Sequence, residues 1–210
     1  MSLETFENLP AHKKELILSI GIKEFSLKSY KDVSTDGITK KCQISKGILF
    51  HYFGSKKQYY LYCLEKAMER LVSKTENVMK GDFYEILFSS MNRKIAICMQ
   101  YKDEMHMVNM ASRDAAVEIA DGKAEIMQRY RNSIQLESDE ILKMAVATLE
   151  FKDESKIQAA ITGLHIYTNA VLNKYLLQYQ QTPEQFLEHS EKIKEEMKEY
   201  LDMMLYGICK

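Results

Sequence analysis

Turn-forming residues are scarce in this chain. Two prolines and eight glycines in 210 residues cannot punctuate the many short strands of a sandwich or barrel, whereas a few long helices need few breakers. An all-α fold is expected. Apolar residues make up 46% and charged residues 28%, a composition that builds a core and is unlike a disordered chain. No stretch reaches the ~20 apolar residues that span a bilayer, and the opening MSLETFENLPAHKKE has no basic region followed by an apolar one. A cytoplasmic protein with no membrane partner is expected. Cys42, Cys63, Cys98 and Cys209 form no CxxC pair and are expected as free thiols.

The net charge of −1 conceals an asymmetry. Residues 1–57 carry ten lysines, no arginine and six acidic residues, a balance of +4, whereas residues 58–210 carry 19 basic and 24 acidic, a balance of −5. A small basic head on an acidic body suits a head that meets a polyanion.

Within that head, Leu18, Gly21 and Phe25 recur at helical offsets and predict a first helix over 11–27. Ser34 caps a short second helix to about Cys42 with Ile38 inward, and Ser45 caps a third to Phe53. Setting Leu49 and Phe53 inward leaves Gly47 and His51 at the centre of the outer face, flanked by Ile48 and Phe50. Gly54 breaks that helix, and Ser55-Lys56-Lys57-Gln58 is a capping box that opens a long helix to about residue 80. Helices are then expected over roughly 82–101, 103–113, 118–148, 153–180 and 183–208, with Gly122 as a candidate interruption. The cut falls at residue 56: a head, 1–56, and a body, 57–210.

Two short helices joined by a tight turn, the second exposing Lys46, Gly47, His51 and Tyr52, have the geometry of a helix-turn-helix reader of double-stranded DNA. Gly47 lets the backbone approach a groove, Ile48 and Phe50 suit thymine methyls, and His51 suits a base edge or phosphate. Lys46, Tyr52 and Lys56 are phosphate-type groups. With no arginine in the head, the bidentate contact to guanine is unavailable, which predicts an A·T-rich operator.

The body carries two heptad-like seams. Ile157, Ile161, Leu164, Thr168, Val171 and Tyr175 step by 4, 3, 4, 3, 4, and Phe186, Ser190, Ile193, Met197, Tyr200 and Met204 repeat those steps. A second face through Ala159, Gly163, Tyr167 and Ala170 leaves surplus apolar surface, so a homodimer is expected through Ile157, Ile161, Gly163, Leu164, Val171, Ile193, Met197, Tyr200 and Met204. His106 and His165 lack partners at ligand spacing, so neither a metal nor a cofactor is expected. The motifs HExxH, GxSxG and GxxxxGK[ST] do not occur, and no catalytic residue is assigned.

From Ile17 to about Lys66 the chain resembles the TetR/AcrR family of bacterial transcriptional regulators. The resemblance rests on Ile17-Leu18, Phe25, Tyr30, Ile38 and above all Ile44-Ser45-Lys46-Gly47-Ile48-Leu49-Phe50-His51-Tyr52-Phe53-Gly54-Ser55-Lys56. Ser29, Thr39, Cys42-Gln43 and Phe50 depart from the family pattern, and Gln43 must take up a turn that glycine usually makes. The resemblance implies a three-helix head on a larger helical ligand-binding and dimerisation domain. It places DNA contacts at Thr35, Lys46, Gly47, Ile48, Phe50, His51, Tyr52 and Lys56. It also implies an apolar cavity for a small-molecule inducer, for which Met91, Tyr101, Met110, Met127, Tyr130, His165 and Asn169 are the candidate lining. The expected function is a repressor released from a near-palindromic operator; the competing reading is an all-α interaction module or enzyme with non-specific DNA affinity.

Overall fold

A computed structural model describes residues 3–72, 80–151, 153–179 and 182–208. Among these, eleven α-helices follow one another: α1 (Leu3–Glu7), α2 (Ala11–Leu27), α3 (Thr35–Cys42), α4 (Lys46–Phe53), α5 (Lys56–Leu71), α6 (Phe83–Gln100), α7 (Lys102–Arg113), α8 (Ala120–Val146), α9 (Ile157–Gln178), α10 (Pro183–Glu188) and α11 (Ser190–Ile208). The predicted extension of α5 falls on 73–79, and Cys209 on the last two residues; both lie outside the described residues. No described helix is long and apolar enough to cross a membrane.

The element boundaries follow local chemistry. Ser34, Ser45 and Ser55 each accept a hydrogen bond from a backbone N–H three residues on, at Gly37, Ile48 and Gln58, satisfying donors that a helix start leaves open. Three features differ from expectation. Helix α1 precedes the predicted first helix; the stretch 183–208 breaks at His189 into α10 and α11; and α8 runs through Gly122 without interruption.

Packing divides the chain into two compact units, and the division does not coincide with a cut at residue 56. The first unit takes residues 1–73 and 100–132, so the head shares it with α7 and the first half of α8. Its core gathers Ile22, Phe25, Ile38, Leu49, Tyr59, Leu64, Met107 and Ile119, all essentially without solvent contact. The second unit takes residues 74–99 and 133–210. It has two smaller cores, one of Phe83, Ile86, Leu87, Ile141, Leu142, Ala145, Leu164 and Leu201, the other of Val171, Tyr175, Ile193 and Met197.

Candidate nucleic-acid interface

Helices α3 and α4 are joined by Gln43, Ile44 and Ser45. Gln43 adopts φ 55°, the left-handed region, and is the one described non-glycine residue with positive φ. Its N–H donates to the Lys40 carbonyl, and the Ile44 N–H donates to the Thr39 carbonyl, closing the end of α3. The turn therefore keeps its glycine-type backbone with a side chain in place of glycine, at a cost. Ile38, Cys42, Leu49 and Phe53 point inward and are buried.

The outer face of α4 presents Lys46, Gly47, Ile48 and His51, all exposed, beside half-buried Phe50 and Tyr52. Two glycines of the head are instructive together. A Cβ on Gly21 would lie 2.2 Å from the Tyr59 hydroxyl and 2.7 Å from the Cys63 sulfur, so α2 and α5 touch only because that side chain is missing. Tyr59, fully buried, donates its hydroxyl to the Ile17 carbonyl at 2.5 Å across the same junction. A Cβ on Gly47 would meet nothing nearer than the Ser45 hydroxyl at 3.7 Å. Among the described residues nothing packs closely enough to require glycine at 47, although glycine in a helix is less favourable than alanine. The empty position faces outward.

The cations of this face are partly engaged. Lys46 pairs with Asp36 at 3.0 Å, joining α4 to the start of α3; both are well exposed, so the pair contributes little to stability. Lys56 donates to the Lys31 carbonyl at 3.3 Å, and its ammonium stands 4.7 Å over the Tyr30 ring. Burial lowers the Lys56 pKa, opposed by Glu118, Asp32 and Asp114. Thr35 is half-buried at the first turn of α3.

Sequence reasoning missed α1. Phe6 is 1% exposed and its ring lies 5.7 Å from Tyr52, 4.8 Å from Phe53 and 5.5 Å from Tyr62. Tyr62 donates its hydroxyl to Glu7 at 2.6 Å, and Lys14 donates to the Glu7 carbonyl at 2.8 Å. The apolar spacing Leu3, Phe6, Leu9 before Pro10 is the signal that marks it. A short helix thus braces the far end of α4.

Helix α7 is fastened to the head within the same unit. Asp114, just past its end, accepts the Tyr30 N–H at 2.5 Å and the Ala116 N–H at 2.9 Å. Arg70 of α5 donates to Glu15 of α2 at 2.6 Å and to the largely buried Glu104 of α7 at 2.5 Å. Burial disfavours that guanidinium, but the two carboxylates outweigh it and raise its pKa.

The expected pocket residues divide between the units. Tyr101, Met110, Met127 and Tyr130 belong to the first, where Tyr130 donates to Glu65 at 3.0 Å. Met91, His165 and Asn169 belong to the second. There His165 Nδ1 faces Asp139 at 2.9 Å while Nε2 faces Asn169 at 2.6 Å and Gln135 at 2.7 Å, an arrangement met by the tautomer that carries its proton on Nδ1. Among the described residues no group of three or more His, Cys, Asp or Glu is gathered to hold a metal.

The seam residues expected between subunits require a correction. Leu164, Val171, Ile193 and Met197 are buried inside one chain, and Ile157, Ile161 and Met204 pack against that same interior. A Cβ on Gly163 would meet Met204. The two seams close on each other, α9 against α11, so these positions are intramolecular core. Tyr200 is exposed.

Residues 17–62 match the family described as bacterial regulatory proteins, tetR family. The head of the chain is thus similar to the tetR family. A 71-residue stretch is 35% identical to an uncharacterized HTH-type transcriptional regulator, YuxN, of Bacillus subtilis (strain 168), covering 33% of this chain and 24% of that protein. The match therefore spans about a quarter of its relative. The fold extends further than the sequence match. A TetR family transcriptional regulator from Chloroflexus aurantiacus superposes with TM-score 0.59 and 20% identity over 99% of this chain and 98% of its own. A tetR-family regulator from Streptomyces coelicolor gives 0.64 and 13% over 95% and 84%. NalD of Pseudomonas aeruginosa, the secondary repressor of the MexAB-OprM multidrug efflux pump, gives 0.56 and 14% over 96% and 99%.

Proposed function

We propose that this chain is a homodimeric DNA-binding transcriptional repressor that leaves a near-palindromic operator when a small molecule binds its body. The observation that carries the reading is Gly47: an outward glycine in the first turn of an eight-residue helix, required by no contact among the described residues, beside Lys46, Ile48, Phe50 and His51. Such a position allows a helix backbone to enter the major groove, where Ile48 and Phe50 meet thymine methyls and His51 a base edge. Thr35, Tyr52, Lys46 and Lys56 take phosphates, the two lysines exchanging Asp36 and the Lys31 carbonyl for DNA. That NalD, which shares this fold, is a repressor supports the sense of regulation.

A dimer supplies two readers about 34–36 Å apart. The surface suited to it is the outer face of α9, where Ala159, Thr162, Ile166, Ala170, Asn173 and Leu177 are exposed and uncharged at steps of 3, 4, 4, 3, 4, with Tyr200, Met203 and Tyr206 exposed on α11. Release follows by linkage: a ligand that favours a body state in which α5 and α7 are displaced moves the head through Arg70 and Asp114. A coupling of ~1–3 kcal/mol corresponds to a 5- to 150-fold loss of operator affinity.

The test is selection from a random duplex library with the purified full chain. An enriched, A·T-rich near-palindrome, bound with steep salt dependence, is expected. Weak binding without enrichment overturns the reading and returns the body to an interaction or enzymatic role.

A further inference from the structure

Lys94 of the second unit is half-buried, and among the described residues no carboxylate stands within ion-pair distance of it. Lys94 of α6 lies on the helix face that continues buried Leu87 and Ser90 and half-buried Met91. Its ammonium donates one hydrogen bond, 3.3 Å, to the neutral hydroxyl of Ser138 on α8. Its neighbour Glu137 is ion-paired with Arg93, and Asp139 faces His165. Burial lowers the Lys94 pKa, Glu137 opposes that and Arg93 adds to it. A half-buried ammonium with a single neutral partner among the described residues is costly, and such groups are candidates for binding sites.

The surroundings define the rest of the ligand. Phe83, Ile86 and Leu87 at the start of α6 share a core with Ile141, Leu142 and Ala145 near the end of α8, and further along α6 Arg93 and Lys94 reach back to Glu137 and Ser138, so the two helices run antiparallel. One turn beyond Lys94, Ile97 and Cys98 therefore stand opposite Ile134, one turn before Ser138. These three apolar side chains belong to none of the packed cores of the described residues; Ile97 and Cys98 are half-buried and Ile134 is exposed. The Tyr167 hydroxyl, buried and without a hydrogen-bond partner among the described residues, borders the core that Met91 joins. An unmatched ammonium thus adjoins a strip of unclaimed apolar surface.

We propose that the second unit binds an amphipathic monocarboxylate, its carboxylate on Lys94 Nζ and Ser138 Oγ and its apolar chain along Ile97, Cys98 and Ile134. One ammonium and one hydroxyl match a single negative charge rather than the double charge of a phosphate monoester. This assigns a ligand class to the inducer of the proposed function and rests on that reading for its regulatory consequence, though not for binding itself.

The test uses the full chain without DNA and decanoate as the probe, with decanamide as its neutral counterpart, followed by calorimetry and thermal unfolding. Decanoate is expected to bind and raise Tm with concentration, and decanamide to do neither. Lys94→Met is expected to weaken decanoate binding by about tenfold or more, Lys94→Arg to retain it within about threefold, and Ser138→Ala to fall between. Equal binding of decanamide, or unchanged binding by Lys94→Met, overturns the proposal, as does the absence of binding by the wild-type chain. Operator release is then read separately. Decanoate binding that leaves DNA bound keeps this site and overturns its assignment to the inducer, while DNA release by a neutral ligand with no binding of decanoate keeps the inducer reading and overturns this site.

Discussion

In the first unit, Phe6, Phe25, Phe53, Tyr59, Tyr60 and Tyr62 pack ring to ring, with centroids as close as 4.7 Å between Phe53 and Tyr59 and 4.9 Å between Phe25 and Tyr60. In the second, Lys94, the Arg93–Glu137 pair and the buried Lys194, bonded to Asn92 and Glu191, stand among two smaller apolar clusters. Aromatic packing of that kind is intolerant of volume change and holds α4 in one orientation, as a reader of fixed geometry requires. Charges at the edge of a small core are a poor source of stability, and the ligand site proposed above lies among them.

Four experiments break or sharpen that contrast. The largest effect belongs to Phe6→Ala, expected to cost ~3–5 kcal/mol in urea unfolding because a buried ring is lost and to weaken operator binding by loosening Tyr52. Lys94→Met in the second unit is expected to be neutral or stabilising, and a loss comparable to that of Phe6 would erase the distinction. Next, Gly21→Ala should cost ~1–3 kcal/mol through overpacking against Tyr59 and Cys63. Gly47→Ala should instead stabilise the head by up to ~1 kcal/mol while operator affinity falls, and retained affinity would remove Gly47 from the groove. Third, Gln43→Gly should raise stability by ~0.5–1 kcal/mol, relieving left-handed backbone at a residue with a Cβ; no gain in thermal unfolding would mean that the Gln43 side chain compensates. The smallest effect is electrostatic. Asp36→Asn frees Lys46 and should tighten DNA binding a few-fold, while Lys46→Ala and Lys56→Ala should each flatten the slope of log affinity against log salt by ~1. An unchanged slope would take that lysine off the phosphate backbone.

The head was largely legible because its signals are local. Ser34, Ser45, Ser55, Gln43 and Gly54 fix helix ends through contacts within four residues, and each did so where the pattern placed it. Helix α1 was not legible, since Leu3, Phe6 and Leu9 acquire meaning only when Tyr52, Phe53 and Tyr62 surround Phe6. The break at His189 was hidden by a heptad pattern that reads through it. There the His189 ring stacks on Tyr179 at 5.6 Å and its Nδ1 lies 2.7 Å from the Gln185 carbonyl. The pairing of Lys46 with Asp36 and of Lys56 with the Lys31 carbonyl was likewise invisible, because groups ten and 25 residues away supply the partners.

The sequence by itself determined that this chain is helical, where the reader begins and ends, and which residues of α4 face out, because capping, turn backbone and helical period are set by neighbours along the chain. The tertiary structure alone decided who covers whom. A heptad seam reads the same whether its own chain or a second copy closes it, and α9 and α11 close theirs on each other. Gly21 and Gly47 are the same residue in the same kind of helix. Only the distance to Tyr59 tells that one fills a contact and the other leaves open space, because the cost of a Cβ depends on what long-range folding has brought beside it.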